Sequence, residues 1–155
     1  MIWIIGAGPM AIDYFKVVDA LKKDTTVIGR SQKSADKFKE ITGKNVITGG
    51  LKEYLDTKPT LPESAIVSAS VEQLATTAIM LMNYGVKKIL LEKPGGISSK
   101  EIQSVADTAQ ATNSKILVAY NRRYYASILK AKEMIEADGG VTSFSFEITE
   151  WSHVI

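Results

Sequence analysis

The sequence predicts an α/β fold in which a parallel β-sheet is covered by helices on both faces. Six short apolar segments of strand character alternate with segments whose apolar residues recur at helical spacing. The connections between them are short, and strands that alternate with helices in this way form parallel sheets. The first strand, Ile2–Ile5, is apolar throughout, as expected for a central strand that is buried on both faces.

The remaining elements follow from local patterns. The strands are predicted at Ile2–Ile5, 26–28, 45–47, 65–69, 88–92 and 115–120, of which the third is the weakest. Helical spacing begins at Pro9, and a helical turn is predicted over 52–55; the inward face of the first helix carries Ala11, Phe15 and Val18. A helix over Val71–Tyr84 precedes Gly85, the residue type favoured at a left-handed C-terminal position.

Ser98 and Glu101 form a capping box that opens another helix. Its inward residues are predicted to be Ile102, Val105, Ala106 and Ala109. A last long helix is predicted over 124–137, before Gly139-Gly140.

The C-terminal residues break the α/β pattern, because Phe144, Phe146 and Ile148 alternate with polar residues as in a half-buried strand. Such a strand cannot bury its apolar face alone, so it must pair with a partner chain, fold back or open a second sheet. We favour the third alternative. The chain then divides into an α/β domain over 1–121 and, over 122–155, a connecting helix and the first strand of a truncated second α+β domain. It would be the first half of a larger protein.

Composition excludes several classes of function. The 155 residues are 45% hydrophobic and 23% charged, which is typical of one soluble globular domain. A net charge of +2 gives no reason to expect nucleic acid or a membrane as a partner. Because the sequence lacks cysteine, it excludes disulfides, zinc–thiolate sites and thiol nucleophiles. We expect no metal and a cytoplasmic location.

A glycine-rich turn follows the first strand. Gly6-x-Gly8-x-x-Ala11 is the phosphate-binding pattern of Rossmann-type domains, and it lies between a strand and a helix as that pattern requires. Gly6 permits the tight turn, Gly8 admits a pyrophosphate, and Ala11 lets the helix pack closely. We therefore predict a dinucleotide site, with the pyrophosphate contacted by Gly6, Ala7, Gly8, Pro9 and Met10.

The residues after the second strand indicate which dinucleotide is bound. NAD-binding domains usually carry an acidic residue there, but this strand ends in Gly29-Arg30-Ser31. Asp24 precedes the strand and should lie at the wrong end of the sheet. Arg30 and Ser31 are suited to a 2′-phosphate, so we favour NADP over NAD. After the fourth strand, Ser68 or Ser70 is a candidate to bond the cofactor ribose, with helix capping as the alternative.

Glu92-Lys93-Pro94 follows the fifth strand, where ligands of α/β sheets bind. Lys93 can donate to a substrate oxygen and stabilise charge that develops during hydride transfer. Glu92 is predicted to orient Lys93 or to hold the turn. Pro94 restricts the backbone, and so tight a bend is compatible with a cis bond.

Three motifs together resemble the Gfo/Idh/MocA family of oxidoreductases. They are the phosphate loop, Glu92-Lys93-Pro94-Gly95-Gly96, and Ala119-Tyr120-Asn121-Arg122-Arg123-Tyr124. The resemblance implies an NAD(P)-dependent oxidoreductase acting on a sugar, cyclitol or related polyol, with Lys93 as the catalytic residue. It also implies that Asn121 and Arg122 line the cleft between cofactor and substrate, and that 141–151 opens a second domain for substrate binding or dimerisation.

The sequence departs from the family in two places. The family's Asp and His pair belongs to the second domain; His153 does not match it and is expected to be exposed or to contact a partner. The fourth strand ends in Ser68-Ala69-Ser70, where the family often has a proline-containing turn. Two other interpretations remain: a dinucleotide-binding module without catalysis of its own, and an interaction protein that forms homo-oligomers through its C-terminal strand. We expect this chain alone to be inactive or very poor.

Overall fold

The fold is centred on one parallel sheet. The structure, a computed structural model, describes residues 1–147, and the chain divides into two compact units, Met1–Tyr120 and Asn121–Ile155. The first unit holds six parallel strands: β1 (Ile2–Ile5), β2 (Thr25–Ile28), β3 (Val46–Ile47), β4 (Ser64–Val67), β5 (Lys88–Leu91) and β6 (Lys115–Val118). All six predicted strands are confirmed, with ends that differ by a residue or two.

The strand order is β3-β2-β1-β4-β5-β6. The chain therefore builds outward from β1 to β3, crosses back, and builds in the opposite direction from β4. This reversal opens a crevice between the carboxyl ends of β1 and β4, where doubly wound sheets bind their ligands. The predicted Rossmann-type sheet is confirmed.

Five helices connect the strands: α1 (Pro9–Ala20), α2 (Gln32–Thr42), α3 (Gly50–Asp56), α4 (Val71–Tyr84) and α5 (Ser99–Ala111). Local chemistry fixes their ends, because Pro9 opens α1 at a position where a missing N–H is tolerated and Gly85 closes α4 with φ of 114°. Helix α2 was not predicted by the sequence analysis. Only Ala35 and Phe38 of this lysine-rich helix are buried, so few apolar residues mark it in the sequence.

Alternation along the strands divides the core into two clusters, one on each face of the sheet. On one face, Ile4 of β1 and Ile66 of β4 pack with α1 and α2. On the other, Trp3 and Val67 pack with α3, α4 and α5. The inward face predicted for α1 is confirmed, since Ala11, Phe15 and Val18 are all buried.

The prediction for α5 is partly wrong. Val105 is buried and Ala109 half-buried, but Ala106 is exposed and Ile102 is 44% exposed. The sheet ends at β6, so α5 meets a narrower apolar surface than a helix over central strands. The capping box also differs in one bond: Glu101 N–H donates to Ser98 Oγ (3.3 Å), whereas the Glu101 carboxylate accepts from Ile97 N–H (2.9 Å) rather than from Ser98.

The second unit contains a 3₁₀ turn, Asn121–Tyr124, and helix α6, Ala126–Ala137. All its described residues are exposed, including the apolar side chains of α6. The predicted strand over 144–148 is not formed by 144–147, because a strand needs a hydrogen-bonded neighbour and the described residues supply none. Ile148, Trp151 and His153, with the predictions made for them, lie outside the described residues. Within 1–147, no helix is long and apolar enough to cross a membrane.

Candidate dinucleotide-binding site

A cavity of about 660 Å³ lies at the crevice that the strand order predicts. Its volume falls within the range of small-molecule pockets. The phosphate loop, the ends of β2 and β4, the start of α3 and one face of α4 form its walls. The predicted site residues among its lining are Gly6, Ala7, Gly8, Pro9, Met10, Arg30, Ser31, Ser68 and Ser70.

Gly6 is required by the fold itself. Its φ is +125°, in the region that only glycine adopts without strain. A Cβ atom at this position would lie 2.5 Å from the carbonyl oxygen of Ser68, a backbone atom that could be displaced only by shifting the main chain. The Gly6 N–H donates to Ile28 O at 2.8 Å. Gly6 therefore lets the loop pass between β2 and the end of β4.

Gly8 lies in different surroundings. Its backbone is extended (φ −87°, ψ −174°), a conformation open to any residue, and a Cβ atom there would meet nothing within 4 Å. It is the N-cap of α1, and no side chain among residues 1–147 caps this helix end. The first N–H groups of α1 and the positive end of its dipole are thus left for another acceptor, and an anion suits both.

The wall after β2 is cationic. Arg30 and Ser31, which the sequence analysis assigns to cofactor binding, both line the cavity, as do Ser34 of α2 and Lys52 of the adjacent α3. Ser31 caps α2 by accepting from Ser34 N–H at 3.3 Å, and the two hydroxyl oxygens are 2.8 Å apart.

Carboxylates are missing from this wall, since the described lining residues include no Asp or Glu. Asp24 precedes β2, and its carbonyl accepts from Ile2 N–H at the amino end of the sheet. Its predicted exclusion from the site is therefore supported.

The two serines after β4 differ in their environment. Ser68 is buried, its N–H donates to Ile5 O at 2.8 Å, and its hydroxyl is 3.4 Å from the same oxygen. Ser70 is the N-cap of α4 but makes no side-chain cap bond. The pKa of the Glu72 carboxyl is lowered by hydrogen bonds from the Glu72 backbone N–H and from the Ser70 side chain. Ser68 thus holds β1 and β4 together, while Ser70 is at the cavity edge.

The Glu92-Lys93-Pro94 turn follows β5, one strand beyond β4, and does not line the cavity. Its Lys93–Pro94 bond is cis, and both Lys93 and Pro94 are exposed. Glu92 is half-buried; one carboxylate oxygen accepts from Lys93 N–H at 3.2 Å and the other from the Tyr14 hydroxyl at 2.5 Å.

Tyr14 is the partner that the sequence analysis missed. Burial, together with the hydrogen bond to Glu92 and its negative charge, raises the pKa of Tyr14 well above its ordinary value.

Several other lining residues were also missed. Gly49, Gly50 and Lys52 reach the cavity from the start of α3, and Gln73, Thr76, Thr77 and Met80 from α4. The Gly49-Gly50 pair after β3 was a usable signal, because both have positive φ. Asn121 and Arg122 belong to the second unit, in the exposed turn Asn121–Tyr124, and are not lining residues of the cavity.

Comparison with known proteins supports the fold. No protein-family model and no curated protein matches the sequence. Among solved structures, the WlbA dehydrogenase from Chromobacterium violaceum, in complex with NADH and UDP-GlcNAcA, superposes with a TM-score of 0.76 at 16% identity, covering 88% of this chain and 39% of its own. An oxidoreductase from Agrobacterium radiobacter, in complex with NAD⁺, L-tartaric acid and magnesium, superposes with a TM-score of 0.78 at 16% identity. The match covers 88% of this chain and 40% of the oxidoreductase.

An oxidoreductase from Thermotoga maritima gives a TM-score of 0.76 at 21% identity, covering 89% of this chain and 43% of its own. The chain thus spans less than half the length of each of these three structures. Over most of its own length it has the Rossmann-type fold that they share.

Proposed function

We propose that this chain is the nucleotide-binding part of an NAD(P)-dependent oxidoreductase. The observation that carries the proposal is the open space at Gly8, beside an uncapped helix end in a cavity of suitable size. The fold requires a glycine at position 6 but not at position 8. A ligand that approaches the backbone closely explains why position 8 lacks a side chain.

The lining residues fit a dinucleotide. The N–H groups at the start of α1 would hold the pyrophosphate, and the cavity between Arg30 and α4 would take the adenosine half. Ser68 and Ser70 are within the wall that would face a ribose. When bound, such a cofactor accepts or donates hydride at its nicotinamide ring.

NADP is the preferred cofactor in this proposal. Arg30 and Lys52 give the cavity wall two cations, Ser31 and Ser34 give it hydroxyl donors, and its described lining offers no carboxylate for a ribose 2′-OH. NAD is the alternative, because the WlbA and Agrobacterium radiobacter structures contain NADH and NAD⁺.

The substrate is proposed to be a sugar, cyclitol or related polyol. This rests on the resemblance of the three sequence motifs to the Gfo/Idh/MocA family, and the WlbA structure contains a sugar nucleotide. Lys93 is exposed after β5 and is the proposed donor to the reacting oxygen. Asn121 and Arg122 are proposed to line the same cleft.

The second candidate function is a dinucleotide-binding or interaction module without catalysis of its own. It is favoured by the second unit, whose described residues bury none of their apolar side chains. On either interpretation we expect this chain alone to turn over no substrate, or very little.

The first test is titration calorimetry of the chain and its Gly8→Ala variant with NADPH. A methyl group at position 8 meets no protein atom, so the variant should unfold at the wild-type temperature. It should bind NADPH more weakly, on the order of tenfold or more, because the methyl group displaces a charged phosphate from its hydrogen bonds. Equal binding by both proteins would contradict the proposed pyrophosphate site.

The second test distinguishes the two cofactors. Wild type should bind NADPH more tightly than NADH, and Arg30→Gln should reduce this preference by on the order of tenfold. Lys37→Gln is the matched control: it removes the same charge from the exposed surface of α2, away from the cavity. Tighter binding of NADH by wild type would overturn the NADP preference alone. Failure to bind either dinucleotide would overturn the proposed function.

A further inference from the structure

One side-chain hydrogen bond joins the helix that begins at the phosphate loop to the turn that carries Lys93. The proposed function places the loop and the turn at opposite ends of the cofactor. The Tyr14 hydroxyl donates to Glu92 Oε1 at 2.5 Å, between residues 78 apart in the sequence. Tyr14 belongs to α1, the helix that begins at the phosphate loop. Glu92 begins the turn that carries Lys93. No other side-chain to side-chain hydrogen bond of the described residues joins these two segments.

The packing of the sheet explains why the two side chains meet. Alternation along β5 directs Leu90 toward the face covered by α1, and Glu92, two residues further, follows the same alternation. Tyr14 and Leu90 are both half-buried against the core cluster on that face. The ring of Tyr14 is thus held by apolar contacts, and its hydroxyl is left beside the carboxylate.

Both oxygens of the Glu92 carboxylate have partners. Glu92 Oε2 accepts from the backbone N–H of Lys93 at 3.2 Å, and Glu92 N–H donates to Val67 O at 2.9 Å. The carboxylate therefore links α1 to the backbone at the residue that bears the proposed catalytic amine. Burial, the hydrogen bond to Glu92 and its negative charge raise the pKa of Tyr14, so the phenol keeps the proton that it donates to Glu92.

We infer that Tyr14 and Glu92 are positioning residues, which set the placement of the Lys93 turn relative to the phosphate loop and so of the nicotinamide half relative to the pyrophosphate. This inference rests on the proposed function. A residue that acts in this way affects binding of the nicotinamide half selectively. A residue that only stabilises the fold affects both halves of the ligand, or neither.

The test compares two ligands on wild type and Tyr14→Phe by titration calorimetry. The ligands are NADPH and 2′,5′-ADP, which lacks the nicotinamide half. Tyr14→Phe keeps the packed ring and removes the donor to a charged acceptor, so NADPH affinity should fall on the order of tenfold. Affinity for 2′,5′-ADP should stay within about twofold. The fluorescence of bound NADPH should also shift toward that of the free cofactor.

Tyr84→Phe is the matched control. It removes a phenol hydrogen bond of similar length, from Tyr84 to Pro59 O at 2.7 Å, on the opposite face of the sheet. It should leave both affinities unchanged. Glu92→Gln is a second variant that needs no change in α1. Its single amide oxygen can accept from Tyr14 or from Lys93 N–H but not from both, so its NADPH affinity should also fall below that of wild type, again without loss of 2′,5′-ADP affinity.

Equal losses for NADPH and 2′,5′-ADP in Tyr14→Phe, or no loss for either, would overturn the positioning role while leaving the proposed function intact. A selective NADPH loss of the same size in Tyr84→Phe would also overturn it. Failure of wild type to bind either ligand would instead overturn the proposed function, and the inference with it.

Discussion

Gly6 and Gly8 are separated by one residue, yet their surroundings differ. A Cβ atom at Gly6 would overlap the backbone of Ser68 in a residue that already has φ of +125°, whereas one at Gly8 would meet open space. The same motif therefore contains one glycine that the fold needs and another that the fold does not need and that the proposed ligand would explain. The distinction depends on how closely β4 approaches the loop, which the sequence motif does not reveal.

Gly6→Ala should accordingly destabilise the protein. The strained φ and the overlap with the Ser68 carbonyl oxygen together should lower the free energy of unfolding by about 2–4 kcal/mol. Urea unfolding of Gly6→Ala and Gly8→Ala measures this, and Gly8→Ala should stay within about 0.5 kcal/mol of wild type. Equal stability of the two variants would show that the loop can move away from Ser68.

The part of the candidate site that is local in sequence could be predicted. Gly6 and Ser68 follow a strand directly, and Arg30 lies two residues after the end of another. The carboxyl ends of parallel strands meet at one edge, so strand prediction alone brings these residues together. Tyr14 and Lys52 could not be found in this way. Tyr14 is one polar aromatic residue at the border of an apolar helix face, and its contact with Glu92 depends on how α1 crosses the sheet.

At the scale of elements, α5 gives a direct test of local capping. Glu101 N–H donates to Ser98 Oγ, so Ser98→Ala should lower the free energy of unfolding by about 1 kcal/mol. Ser104→Ala is the control, because this hydroxyl bonds Lys100 O within the helix and should contribute less than about 0.5 kcal/mol. Chemical denaturation compares the two. A similar loss in both variants would mean that the cap adds no stability beyond that of an exposed hydroxyl.

The extent of burial explains the most accurate of the predicted helices and the two predictions that failed. The helix predicted over about Val71–Tyr84 is formed with these bounds, because it buries a wide apolar face and ends at Gly85. Helix α2 was missed because it buries only two residues, and Ile102 of α5 was assigned to the wrong side because the sheet ends at β6. Periodicity reports which residues are apolar, but the extent of the neighbouring surface decides which of them become buried.

At the scale of the whole molecule, the second unit leaves apolar surface uncovered. Phe144 and Phe146 are 79% and 76% exposed, and their rings stack with centroids 6.2 Å apart. Large apolar side chains grouped in this way are typical of interaction sites. We therefore expect the chain to self-associate through this segment when nothing else covers it.

Phe144→Asp tests this expectation, because a carboxylate beside Phe146 opposes burial of the pair. The mass of wild type in sedimentation equilibrium should rise with concentration, and that of Phe144→Asp should stay at the monomer value. Ser145→Asp, which adds the same charge to the neighbouring residue, should behave more like wild type. A monomeric wild type at every concentration would exclude homo-oligomers formed through this segment.

The proposed catalytic role of Lys93 can be tested only in a protein that joins this chain to a substrate domain. Lys93 is exposed at the carboxyl end of β5, and no side-chain bond of Lys93 itself is present among the described residues. Its amine is thus available to a substrate oxygen. In such an enzyme, Lys93→Ala should lower the rate of hydride transfer by roughly 10²–10⁴-fold, as expected for a positioned proton donor.

NADPH affinity should change little in Lys93→Ala, because the amine is proposed to act on the substrate. In addition, Lys93 does not line the cavity that would hold the adenosine half. Lys88→Ala is the matched control: Lys88 is an exposed lysine at the amino end of β5, the strand that leads to the Lys93 turn, and lies away from the ligand edge. The Lys88→Ala enzyme should transfer hydride at the wild-type rate. Complete loss of NADPH binding in Lys93→Ala would assign the lysine to cofactor binding, and an unchanged rate would move the chemistry to other residues.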